Sequence, residues 1–401
     1  MKLRSIKGGV TAAKGFRASG VSAGIKRSRK PDISLTVADD LVTAAAVFTR
    51  NQVQAPPVHI SRLRVGGGKA QAVLINSGCA NCMTGKSGFE DAYRLSKEVA
   101  ELLDIDDKNV LVASTGIIGR RLPVPRMLRA LPKLVKKLSR SGNRAAAQAI
   151  LTTDIMPKEA AVEARIGGRL CRVGGMAKGA GMIAPSMATM LCVITTDVQI
   201  EAGLLRELLR QASDATFNRI SVDGDMSTND TVYVLASGRS GVKIGRGSAA
   251  AKTFLAMLTK VAEDLAFLIV KDGEGASRLM RVDVTGARSD AEALACAKQV
   301  AFSPLVKTML AGSDPNIGRI AGAVGASSAK IDPDKLEIFL GKHCAVRGGV
   351  TTHLSKTMMR QELSHAFVPV RVNLHVGSGK AWMLTCDLSH EYVRINAGYA
   401  T

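Results

Sequence analysis

A threonine at the start of an apolar strand stands out in this chain. The segment from Gly174 to Leu191 reads GGMAKGAGMIAPSMATML. It places the cation Lys178 in a run that could otherwise be buried, where an unpaired charge is costly. It also places Thr189 after the small residue Ala188. A threonine hydroxyl is a poor nucleophile without a base. If the chain is cut before Thr189, the freed α-amine sits on the same residue as the hydroxyl. Its pKa of roughly 7.7–8.0 leaves a useful neutral fraction at cellular pH. The amine can then take the hydroxyl proton and return it to a leaving amine. The same hydroxyl can make the cut, by attacking the Ala188 carbonyl to give an ester that water hydrolyses. On composition alone the plainer alternative is a flexible turn running into a buried strand. The residues of this segment leave both readings open.

Other catalytic signals are missing. The chain has six histidines, and five lie after residue 342. None sits beside a G-x-S-x-G elbow. There is no H-E-x-x-H, no glycine-rich loop ending in Gly-Lys-Ser/Thr, and no strand leading into G-x-G-x-x-G. Cys79 and Cys82 form a lone C-x-x-C among seven cysteines. A zinc site needs about four ligands, so these are expected to be structural thiols in a reducing compartment. The loop Asp223–Asp230 has a D-x-D spacing that could hold a divalent ion through oxygens. A structural turn near an active site is the preferred reading, and no metal or bound cofactor is expected.

The elements that must position this chemistry read as a mixture. Short apolar runs predict strands at Ala72–Ile75, Val110–Ala113, Met190–Ile194, Val232–Leu235, Arg281–Val284 and Val370–Val376. Amphipathic runs predict helices at Asp91–Leu103, Leu204–Ala212, Ala249–Val270 and Asp290–Ala301. Pro123, Pro125 and Pro132 should confine any helix between Arg121 and Leu138 to short pieces. Gly174–Ser186 and Ser221–Asn229 read as loops shaped for close approach. The fold class is α/β, with sheets covered by helices.

The 401 residues are 46% apolar and only 3% aromatic. The core must therefore be built from Ala, Val, Leu, Ile and Met, and a base-stacking platform is disfavoured. The formal net charge is +21, but Lys and Arg are spread along the chain. The clustered footprint of a nucleic-acid or membrane binder is absent. The first 31 residues carry nine Lys or Arg and no acid. Without an apolar stretch, and broken by Gly20, Gly24 and Pro31, they are read as an ordered N-terminus of a cytoplasmic protein.

Several motifs, in order, resemble the ornithine acetyltransferase family. They include Lys178–Leu191 as an autocleavage motif, Gly15–Gly20, Val47–Asn51 with Ala55–Val58, and Ser114–Gly119. Thr152–Asp154, Ser221–Asp230, Lys271–Gly275, Ser303–Thr308, Asp314–Ile320 and Tyr392–Thr401 continue the match, which spans nearly the whole chain. Departures occur at Cys79, Cys82, Ser313, Ile317 and the extra Met383-Leu384 pair.

The resemblance implies a fold of stacked sheets flanked by helix layers, N-terminal-nucleophile-like, with a smaller C-terminal lobe. It implies cleavage between Ala188 and Thr189, giving an α chain of residues 1–188 and a β chain of residues 189–401, two of each in the assembly. Thr189 would be the nucleophile, and Thr115 and Gly116 the oxyanion hole. Thr152, Lys178, Thr189, Glu274, Asn396 and Thr401 would bind substrate. Lys178 would meet the α-carboxylate of N-acetylornithine and Glu274 its ammonium. The acetyl group would pass through acetyl-Thr189 to L-glutamate by a ping-pong route, with acetyl-CoA left open as a further donor. Two alternatives stand beside this: an N-terminal-nucleophile amidase or aminopeptidase that passes the acyl group to water, and a non-catalytic polyanion-binding protein.

Overall fold

The computed structural model describes residues 2–184 and 190–398, and these fall into two compact units. The first comprises residues 2–182, 190–218 and 225–269; the second comprises 183–184, 219–224 and 270–398. The class is α/β, as the alternation of apolar runs and amphipathic stretches predicts.

The first unit is organised by a nine-stranded sheet among the described residues. Its order is Arg4–Ser5, Lys158–Ile166, Arg169–Lys178, Leu191–Thr196, Thr231–Ala236, Ile33–Phe48, Lys69–Cys79 and Val110–Ile117, with Phe16–Val21 paired to Ile33–Phe48. The apolar runs are continuous because both faces are covered. Along Val110–Ala113, Val110 and Val112 join one hydrophobic cluster, while Leu111 and Ala113 join another. The same alternation splits Ala72 and Leu74 from Val73 and Ile75, as the two-residue period of a strand requires. The helices Gly85–Leu103 and Val124–Lys136 pack on the first face, and Ala146, Ala147 and Ile150 on the second.

Two expectations need correction. Residues 124–136 form one continuous helix, not short pieces, with Pro132 inside it. Pro125 occupies the first turn, where no N–H is needed. Met127, Leu131 and Leu134 are buried on one face, and that burial offsets the bond lost at Pro132. The second correction concerns Gly174–Lys178, which lie in a strand and not in a loop. The expected close approach is present there all the same. A Cβ on Gly174 would fall 2.0 Å from the carbonyl oxygen of Gly9.

The second unit carries a six-stranded sheet in the order Val350–Thr351, His343–Arg347, Glu337–Leu340, Phe367–Asn373, Leu279–Ala287 and Gly379–Cys386. The helices Asp290–Phe302, Pro304–Gly312, Ile317–Gly325 and Lys356–Leu363 bury their apolar residues against it. Ser289 accepts the backbone N–H of Glu292 at 3.2 Å, half of a capping box that fixes the helix start. Met383, of the extra pair, is fully buried in this core. Among the described residues no helix is long and apolar enough to cross a membrane.

Pro132 is exposed, so replacing it changes little besides the helix backbone. Pro132→Ala restores an N–H donor and removes a clash with the preceding turn. It is expected to raise unfolding stability by about 1–3 kcal/mol, read from the urea midpoint. A neutral or destabilised variant would show that the helix is adapted to the proline.

Candidate active site

The strand Val110–Ile117 runs parallel to Lys69–Cys79, with Ser77 opposite Thr115 and Gly78 opposite Gly116. The pairing slips at Cys79, which faces both Thr115 and Ile117. Such a bulge turns the strand out of its regular ladder. Gly116 takes φ +129, and a Cβ there would lie 2.3 Å from the carbonyl carbon of Gly78. No larger residue fits. Side chains staple the bulge from both sides. Ser114 donates to Asn76 at 2.6 Å, and Asn76 donates to the carbonyl of Cys79 at 2.9 Å. Asn229 donates to the carbonyls of Ala80 and Ser114 at 2.7 and 2.9 Å.

Lys178 closes the strand Arg169–Lys178 and is only 3% exposed. Its ammonium donates to the Thr152 hydroxyl at 2.7 Å and reaches the Thr115 hydroxyl at 3.5 Å. Three residues singled out on the sequence are thus brought together. Lys178 also lies 3.7 Å from the carboxylate of Asp154. The Asp154 side chain is completely buried, and so is that of Lys158, which donates to it at 2.7 Å. The backbone N–H groups of Thr152 and Gly179 donate to the same carboxylate at 2.9 and 2.6 Å. Burial pushes the Asp154 carboxyl up. The ammonium of Lys178, then that of Lys158 and the donated hydrogen bonds, pull it down more strongly. It therefore stays ionised, far below the usual carboxylate range. Asp154 stood within a quoted motif, but Lys158 did not, and sequence reasoning gave neither a role. The available signal was the requirement for a counter-ion to the buried Lys178.

A second cation lies close by. The loop before Ile33 folds around the buried carboxylate of Asp32, which accepts the N–H groups of Ala23, Ile25 and Lys26 at 2.6, 2.7 and 3.1 Å. This lays the Lys26 side chain against Gly78, where a Cβ would meet its Cγ at 3.0 Å. The ammonium donates to the Pro31 carbonyl at 2.7 Å. Burial pushes the Lys26 pKa down to about 8, against the pull of Asp32 and Asp154 and with added repulsion from Lys178.

Ala188 and Thr189 lie outside the described residues, and so does Thr401. The next residue, Met190, is firmly held. Its N–H donates to the buried carboxyl of Asp230 at 3.0 Å, and its carbonyl accepts the N–H of Thr231 at 3.0 Å. The strand that follows begins with Leu191 in register with both Lys178 and Thr231. Burial raises the Asp230 carboxyl well above its ordinary value, though the Met190 N–H and Lys178 oppose this. The acidic loop thus serves as structural anchorage: Asp230 holds Met190, and Asp223 accepts the N–H of Ile183 at 2.8 Å and the Tyr392 hydroxyl at 3.2 Å. Cys79 and Cys82 are buried, and burial pushes the Cys79 thiol up. That is the behaviour of structural thiols.

The second unit places Glu274 and Asn396 together. Asn396 donates to the Glu274 carboxylate at 2.8 Å. Glu274 is 8% exposed and so is not part of a free surface loop. Its turn is held by Ser389, which donates to the Gly275 carbonyl at 2.7 Å. Asp387 accepts the N–H groups of Ser277 and Arg278 at 2.8 and 3.1 Å. Gly275 takes φ +68, and a Cβ would strike the backbone nitrogen of Tyr392 at 2.4 Å.

Known proteins resemble the chain closely. Residues 17–401 match the model of the ArgJ family. The arginine biosynthesis bifunctional protein ArgJ of Synechocystis is 43% identical over 407 residues, covering 99% of this chain and 98% of that protein. The chloroplastic arginine biosynthesis bifunctional protein ArgJ of Oryza sativa subsp. japonica is 44% identical, covering 99% of this chain and 88% of its own length. A solved ornithine acetyltransferase of Mycobacterium tuberculosis, complexed with ornithine, is 39% identical, covering 47% of this chain and 100% of its own, with a TM-score of 0.43.

Two outcomes follow from the buried charges. Asp154→Asn removes the carboxylate charge that faces both Lys158 and Lys178 and should cost about 3–5 kcal/mol, measured by denaturant unfolding. A loss below about 1 kcal/mol would mean that the lysines find other partners. For Lys26, the folded value near 8 lies below the unfolded value of about 10.4. Between these pH values the unfolded chain holds the extra proton, so this group's contribution to stability rises with pH. Lys26→Met should exceed the parent in stability at pH 7 by on the order of 1 kcal/mol, a margin kept small by solvent screening. The margin should shrink between pH 8 and pH 10. A difference independent of pH would exclude the linkage.

Proposed function

This chain belongs to the ArgJ family, and we propose that it acts through Thr189 as a self-processing acetyltransferase. It is an enzyme of arginine biosynthesis that transfers an acetyl group to glutamate. The observation that best supports the proposed site is the cluster of Lys178, Thr152 and Thr115 beside the glycine bulge at Gly116. It combines a buried cation at the end of the strand Arg169–Lys178, two hydroxyls, and a bulged backbone where Val110–Ile117 pairs with Lys69–Cys79.

In the proposed mechanism the chain first cleaves itself between Ala188 and Thr189. Residues 1–188 and 189–401 remain associated, two of each in the assembly. The Thr189 hydroxyl, assisted by its own α-amine, attacks the acetyl carbonyl of N-acetyl-L-ornithine. Thr115 and Gly116 stabilise the oxyanion, where one such donor is worth about 2.7–4 kcal/mol. The C–N bond breaks, the α-amine returns the proton to the leaving nitrogen, and ornithine departs. The amino group of glutamate then takes the acetyl group from Thr189, restoring the hydroxyl.

Lys178, with Thr152, is assigned to the substrate α-carboxylate, since charge-assisted bonds orient a small ligand well. Glu274 and Asn396 are assigned to the ornithine ammonium, and Thr401 to substrate binding. The Asn396–Glu274 hydrogen bond supports their acting as a pair. The relatives' names include the word bifunctional, which favours acetyl-CoA as a second donor. A cytoplasmic location is part of the same proposal. Neither a metal nor a bound cofactor is needed by these steps.

Intact mass under denaturing conditions tests the proposal. The purified protein should give two chains split between Ala188 and Thr189, in place of one chain of 42.2 kDa. N-acetylornithine should add an acetyl increment to the Thr189 chain alone. Thr189→Ala should stay intact and transfer nothing. A processed or active Thr189→Ala variant would sink the nucleophile assignment. Ornithine release that is unaffected by glutamate would point to transfer to water, and hence to an amidase.

A further inference from the structure

The proposed chemistry does not absorb the large positive charge, and part of that charge converges at one place in the first unit. A cavity of about 400 Å³ is lined by Lys14, Arg140, Arg172 and Arg239, with Asp39 as the one acid in its wall. These four cations come from segments far apart in sequence. They therefore form a site assembled by the fold and not a charged stripe along one element. None belongs to the proposed catalytic or substrate-binding set. We propose that this cavity binds a small organic or inorganic anion bearing two or more negative charges, of carboxylate or phosphate type.

The three arginines are held in place before any ligand arrives. Arg140 donates to Asp39 at 2.7 Å. Arg172 donates through its Nε to Glu163 at 3.1 Å, and its backbone N–H is fixed by the buried Asp197 at 2.9 Å. Arg239 donates to Asp40. A guanidinium has five N–H donors in a planar fork, so one carboxylate at one edge leaves others to offer. Holding long side chains in advance lowers the ordering cost of binding. Among the described residues, Lys14 has no carboxylate within ion-pair distance of its ammonium. The chain here is small and close-packed. Gly15, at φ +92, would carry a Cβ only 3.0 Å from Cγ of Arg239. This close approach brings the Lys14 backbone up to the arginine. The size suits a small ligand, and the planar forks match carboxylate and phosphate oxygens two at a time.

Isothermal titration calorimetry at low ionic strength, with citrate and pyrophosphate as probes, tests this on the full chain. The parent should bind at least one of the two with one-to-one saturation. Preference for citrate identifies the carboxylate source, and preference for pyrophosphate the phosphate source. Lys14→Gln with Arg140→Gln should weaken binding at least about 10-fold, the size of a lost charge-assisted contact. The charge-matched control, Lys86→Gln with Lys97→Gln, alters exposed side chains elsewhere and should bind like the parent. Should the double pocket variant lose its cooperative thermal unfolding, Lys14→Gln alone, at an exposed residue, carries the comparison. No saturable binding of either probe by the parent overturns the proposal. Equal weakening in the pocket and control variants also overturns it, because the attraction would then be the diffuse field of the whole charge. Acetyl transfer is not measured, so failure here leaves the acetyltransferase reading intact.

Discussion

The carboxylate of Asp154 sits out of water with two ammonium groups and two backbone N–H groups directed at it. Each of these ions alone would be costly to bury. Lys178 carries one of the two positive charges toward Thr152 and Thr115. The carboxylate also joins three pieces of chain: the loop at Thr152–Asp154, the start of the strand at Lys158 and the end of the strand at Lys178–Gly179. A buried ion pair is weak evidence for stability as such. Its value here is geometric, because it fixes the direction of the lysine.

The oxyanion-hole candidates depend on a steric constraint of equal force. Gly116 passes so close to Gly78 and Cys79 that it could carry no side chain. The bulge this permits is held by Asn76 and Asn229. Asn229 belongs to the same acidic loop whose last residue, Asp230, binds the Met190 N–H. One loop thus ties the bulge to the residue immediately after Thr189. The sparse aromatic content is consistent with this style of packing, in which glycine and alanine allow backbone to meet backbone, as at Gly174 and Gly9.

In the second unit the ordering of Glu274 uses hydrogen bonds more than apolar burial. Asp387 gathers the N–H groups that follow the turn, and Ser389 fixes its carbonyl. Gly275 lets the helix His390–Ala397 approach, and Asn396 on that helix meets the carboxylate. A carboxylate this enclosed is oriented by its neighbours, as the proposed recognition of a small cation requires.

Much of this could be read from the sequence. Apolar runs of four or five residues gave the central strands, because a strand covered on both faces needs no polar alternation. The amphipathic stretch ending at Leu103 gave its helix. Lys178 drew attention because a cation within a buriable run demands a partner, and resemblance to a family supplied Thr115 and Thr152. Other features were beyond its reach. Three prolines argued against a helix that tertiary burial of Met127, Leu131 and Leu134 sustains. The identity of Lys178's counter-ion, the anchoring of Met190 by Asp230, and the convergence of Lys14, Arg140, Arg172 and Arg239 were likewise decided only in three dimensions. Period and residue type are local properties, and the sequence alone determines them. Which groups meet depends on strand register and packing among segments far apart in the chain, 101 residues for Arg140 and Asp39 and 199 for Arg239 and Asp40. That register is set by how both faces of the sheet are packed, which no local pattern encodes.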